Sequence, residues 1–61
     1  MAHVIVSGES REGKGRIDEL MSSWGFYPDS YLYMMNGNPV PSDTEINGED
    51  KVEAIRVASG G

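Results

Sequence analysis

The stretch "YLYMMNGNPVP" (31–41) decides the fold of this 61-residue chain. Residues 31–35 form an unbroken apolar and aromatic run of strand length, too short for a membrane span. Asn36-Gly37 follows at once, and it is the favoured two-residue hairpin signal because both central positions of that turn need positive φ. Asn38–Val40 is then a short return strand, and Pro41 stops it. Alternation splits the first strand into two faces, Tyr31/Tyr33/Met35 and Leu32/Met34, and both are apolar. That pattern belongs to a strand inside a sheet, covered at least in part on both sides.

The same reading extends outward. "KVEAIRVAS" (51–59) is a second long strand with faces Val52/Ala54/Arg56 and Glu53/Ile55/Val57. "AHVIV" (2–6) is β-branched and closes at Ser7-Gly8, which makes it the first strand. Ile17, Leu20, Met21 and Trp24 recur at helical spacing, predicting a short amphipathic helix over residues 16–24 with Gly25 at its C′ position. Residues 27–30 are turn chemistry. Residues 42–50, "SDTEINGED", are a polar connection in which Ile46 is the expected buried anchor. The stretch "GESREGKG" (8–15) reads as a flexible turn. The expected domain is α+β, a mixed four- to five-stranded sheet with one helix on one face.

One helix covers only one face of such a sheet. The other must show Leu32 and Met34 with Ile55 and Val57, an apolar cluster of the kind that marks a docking surface on a small protein.

Composition narrows the function. A chain of this length is one small domain that buries only about 60% of its unfolded surface. Ten acidic against five basic residues give a net charge of −5, the wrong sign for nucleic-acid binding. There is no cysteine, hence no disulfide, thiolate metal site or cysteine nucleophile. His3 is the sole histidine and has no partner at metal-ligand spacing, so neither a metal site nor a catalytic triad can be assembled. Gly8-x4-Gly13-Lys14 resembles a phosphate-binding loop but puts Gly15 where a magnesium-holding Ser or Thr is required, and Glu9 and Glu12 would repel phosphate. No signal-peptide pattern opens the sequence and no apolar run spans a membrane, so a cytoplasmic, monomeric, non-enzymatic protein is expected.

The sequence closes on "RVASGG". Without side chains, Gly60 and Gly61 can extend into a channel too narrow for any other residue. A carboxylate delivered that way could attack the α-phosphate of ATP in a partner enzyme.

The chain resembles the ubiquitin-like β-grasp proteins, most closely the small archaeal modifier and sulfur-carrier group related to the carriers of thiamin and molybdopterin synthesis. "YLYMMNGNPVP" (31–41), Glu49-Asp50, "KVEAIRVASGG" (51–61) and "IDEL" (17–20) carry the resemblance. It implies a β-grasp domain over residues 1–58 and a tail over 59–61, activated at Gly61 by a ubiquitin-activating-type adenylating enzyme that uses ATP and magnesium. The product would be a thiocarboxylate for sulfur-accepting biosynthetic enzymes or an isopeptide bond to lysines of target proteins. The family has a second strand before the helix, and "REGKGR" is a poor one, so a truncated second strand or a four-stranded sheet is expected here. A non-catalytic interaction module with an incidental Gly-Gly end is the alternative.

Overall fold

The computed structural model describes residues 1–57. Seven strands and one α-helix follow in the order β1 (Ala2–Val6), β2 (Glu9–Gly13), β3 (Gly15–Arg16), α1 (Ile17–Ser23), β4 (Tyr31–Met35), β5 (Asn38–Val40), β6 (Glu45–Ile46) and β7 (Lys51–Arg56). Pro28–Ser30 forms one 3-10 turn ahead of β4. Five strands make the main sheet in the order β2-β1-β7-β4-β5, and β3 and β6 make a separate two-residue pair. β1 and β7 run parallel, with Val4 beside Val52. The other three pairings in the main sheet are antiparallel. This mixed five-stranded sheet with one helix packed on it is consistent with a β-grasp fold.

Both hairpins arise from the same turn physics. Asn36 and Gly37 have φ of 55° and 80°, closing β4 onto β5 with Met35 opposite Asn38. Ser7 and Gly8 do the same at 51° and 81°, closing β1 onto β2 with Val6 opposite Glu9. The expectation of a flexible turn and a truncated second strand over residues 8–16 is therefore corrected. Glu9–Gly13 is a full five-residue edge strand. Its Glu and Arg residues have weak strand propensity, but the turn sets the register and β1 supplies the ladder. A charged edge also protects the sheet from pairing with another chain.

The helix is short and fastened at both ends. Arg16 at its N-cap offers no side-chain cap. Instead the N–H groups of Ile17 and Asp18 donate to the carbonyls of Thr44 (3.0 Å) and Ser42 (2.9 Å), satisfying two donors that the helix cannot. Asp18 and Glu19 lie in the first turn, where the helix dipole favours negative charge. At the other end Gly25 sits at φ 89°. There the N–H of Phe26 donates to Met21 O at 2.9 Å and that of Gly25 to Ser22 O at 3.0 Å. This is the Schellman arrangement, and it folds Phe26 back toward the helix.

The core lies between α1 and the inner sheet face: Ala2, Val4 and Val6 of β1, Val52 and Ala54 of β7, Tyr33 of β4, and Ile17 and Met21 of the helix. Ile46 is 1% exposed and closes this core as the anchor of its polar connection. Gly13 marks the tightest approach, since a Cβ there would lie 2.9 Å from Leu20 Cδ2. Phe26 meets Tyr31 edge-on at 5.9 Å, a favoured aromatic geometry. Arg11 of β2 lies on the same side, its guanidinium 5.0 Å from the Phe26 ring centroid.

Candidate functional site

Among the described residues the helix covers one face of the main sheet and no element covers the other. Cross-strand partners share a face, so the register assigns its residues. Leu32 stands opposite Ile55, and both side chains are 47% exposed. Met34 lies opposite Glu53 and is half-buried. Val57 comes next in the alternation and is 44% exposed. Its N–H donates to Ser30 O at 2.9 Å, which holds it beside the start of β4. The open face thus gathers Leu32, Met34 and Ile55, with Val57 at its margin. Their strand mates Val52, Ala54 and Tyr33 are buried against the helix. Gly60 and Gly61 lie outside the described residues.

Two further residues join this face. Ile5 of β1 stands beside Glu53, and a shallow groove is lined by Ile5, Met34, Asn36, Gly37, Lys51, Glu53 and Ile55. The signal for Ile5 is present in "AHVIV", where the alternation that buries Val4 and Val6 turns His3 and Ile5 outward. Nothing in β1 alone says that β7 lies beside it, so Glu53 and Ile5 become neighbours only through the parallel pairing.

The remaining polar groups serve local structure. His3 Nε2 is 3.8 Å from Glu12 across the β1–β2 pair, with both side chains well exposed. The Asp50 carboxylate accepts from Asn47 N–H at 3.1 Å, and Asp50 N–H donates to Asn47 O at 3.2 Å, so the Glu49-Asp50 pair belongs to a turn. Arg16 Nη2 donates to Asp18 at 2.7 Å. That bond, and then the charge of Asp18, raises the guanidinium's pKa above its usual value. Among the described residues Tyr33 is the one strongly displaced group: burial, reinforced by the charges of Tyr31 and Asp29, pushes its phenol up to about 12. Its hydroxyl donates to Pro28 O at 2.8 Å, which makes it a strut between β4 and the 3-10 turn. Among the described residues no three His, Asp or Glu side chains come together as a metal site.

Residues 8–13 do not take the form of a phosphate-binding loop. A phosphate cradle needs successive N–H groups converging inside a loop. Here Gly8 belongs to a two-residue turn, and Glu9–Gly13 are laid out along β1 as a strand. No helix among the described residues is long and apolar enough to cross a membrane.

No family model matches the chain, and no curated protein matches it.

Proposed function

We propose that this chain is a ubiquitin-like modifier or sulfur carrier whose chemistry is performed on it by other proteins. One observation carries the reading. The open sheet face presents the apolar cluster Leu32, Ile55 and Val57 on and beside β7, the strand whose sequence runs on through Ala58 and Ser59 to Gly60 and Gly61. A docking surface built around the strand that leads to a bare diglycine is what an activating enzyme needs to grip the domain and reach Gly61.

In this proposal a cytoplasmic ubiquitin-activating-type enzyme supplies ATP and magnesium. The Gly61 carboxylate attacks the α-phosphate of ATP and pyrophosphate leaves. The resulting acyl-adenylate accepts either a lysine amine or a sulfur donor at its carbonyl, and AMP leaves. The amine gives an isopeptide bond to a target protein; the sulfur donor gives a thiocarboxylate for a biosynthetic enzyme. The domain itself acts as handle and cargo, with no catalysis and no bound cofactor of its own.

Mass spectrometry of the protein isolated from its native host tests this. A C-terminal peptide ending at Gly61 and heavier by about 16 Da marks replacement of oxygen by sulfur, and Val-Ala-Ser-Gly-Gly remnants on lysines of other proteins, left by tryptic cleavage after Arg56, mark conjugation. Unmodified Gly61 in every preparation, with no remnant on any lysine, would refute the proposal. The same face would then serve an interaction module that has no use for the carboxylate.

A further inference from the structure

The middle of the open face is a single transverse row. Register places Ser10 beside Ile5, Ile5 beside Glu53, Glu53 beside Met34 and Met34 beside Pro39. One residue from each of the five strands therefore crosses the sheet, and the central one is a carboxylate. Ile5 and Met34 flank it, and Ile55 and Leu32 lie in the adjoining row. Two side-chain ion pairs and the His3–Glu12 contact form among the described residues, and none of them uses Glu53. The nearest cation along the strand, Lys51, lines the same groove but takes part in none of those pairs.

We propose that Glu53 reads charge on the docking face, and that the partner is a polypeptide segment presenting one lysine or arginine between apolar side chains. The inference rests on the open face being the docking surface. While the face is open, water solvates the carboxylate at little cost. Once an apolar partner covers Ile5, Met34, Ile55 and Leu32, the carboxylate loses that water, and an uncompensated buried charge is strongly unfavourable. A cation from the partner removes the penalty; a neutral partner meets it in full. The position thus rejects wrong partners as well as favouring right ones. The chain's net charge of −5 draws cationic segments to the encounter. It disfavours a second copy of the chain as the occupant.

A randomised peptide library displayed on phage, panned against the full chain, tests this. The baits are the wild type, Glu53→Gln, Glu53→Lys and Ile55→Asp, each checked for native amide spectra. Peptides enriched on the wild type are expected to carry Lys or Arg between apolar residues and to shift the Ile5, Met34 and Glu53 amides. They should lose about tenfold or more in affinity for Glu53→Gln. Glu53→Lys should select peptides with Asp or Glu at that place. Peptides lost with Ile55→Asp but indifferent to Glu53→Gln and Glu53→Lys would overturn the charge reading and leave the docking face standing. Peptides that survive Ile55→Asp, or a selection that yields no binder to this face, would overturn both. Self-association through this face in sedimentation would also overturn the choice of partner.

Discussion

Val52 and Ile55, on opposite faces of β7, should lose very different amounts of stability to the same side chain. Val52 is fully buried, on a strand with β1 on one side and β4 on the other. Threonine matches valine in shape, so Val52→Thr leaves no cavity, but it puts a hydroxyl among Val4, Met35 and the helix. The carbonyls of β7 are committed to ladders on both sides, so the hydroxyl has little to bond. Such burial costs about 1–3 kcal/mol. A domain of this size has only roughly 3–9 kcal/mol of stability in total, so the loss is large. Ile55 is 47% exposed, and Ile55→Thr keeps a β-branched side chain that suits the strand. It forfeits about half the transfer value of the lost apolar group, under about 1 kcal/mol. With a urea slope near 1 kcal/mol per molar for a chain this small, the unfolding midpoint should fall by about 1–3 M for Val52→Thr and by under about 1 M for Ile55→Thr. Equilibrium urea melts followed by Trp24 fluorescence measure both. If Ile55→Thr were the more damaging, the two faces of β7 would be inverted, and the docking surface with them.

Tyr33→Phe removes the hydroxyl that bonds Pro28 O and should cost about 1 kcal/mol near neutral pH. Burial raises the Tyr33 pKa from 10.0 to about 12, so the neutral phenol's contribution is complete below pH 10 and is lost as pH rises through 12. The phenylalanine variant has nothing to lose in that window, and urea melts should show the gap to wild type narrowing there; a constant gap would refute the assignment. Ser7 holds φ 51°, a conformation asparagine tolerates better, so Ser7→Asn should stabilise the domain by ~0.5–1 kcal/mol. A lower melting temperature would show that the serine hydroxyl has a role the turn geometry does not reveal.

The parts legible in the sequence are those governed by short-range rules. Asn36-Gly37 announces its hairpin because both positive-φ positions hold residues that accept them cheaply. The helix is legible from its 3.6-residue stripe and its glycine stop, and Ile46 from being the lone aliphatic in a polar segment. The first hairpin is not legible because Ser7-Gly8 is a weaker form of the same turn signal, and because Glu9–Gly13 alternates too little to look like a strand. β2 is a strand mainly because β1 is beside it. The β3–β6 pair escaped for a related reason: Gly15–Arg16 and Glu45–Ile46 are two residues each and exist only through a contact distant in sequence. The outward positions of Leu32 and Ile55 followed from alternation plus the count of one helix. The row through Glu53 did not, because it needs the order of all five strands.

Glu53 also bears on why β7 pairs in only one register. A slip of one residue would turn Lys51, Glu53 and Ile55 toward the helix and Val52 and Ala54 toward water. Burying Glu53 against Met21 and Val4 without a partner would cost far more than the slip could recover. The outward charges on β7 therefore guard the register, whatever binds to the face. That role and charge reading predict different things, and the sign of the charge separates them. Lysine at position 53 guards the register as well as glutamate does, so Glu53→Lys should unfold within about 1 kcal/mol of wild type. Its peptide preference should nevertheless reverse. A variant that folds normally and still selects cationic peptides would leave Glu53 as a register guard alone.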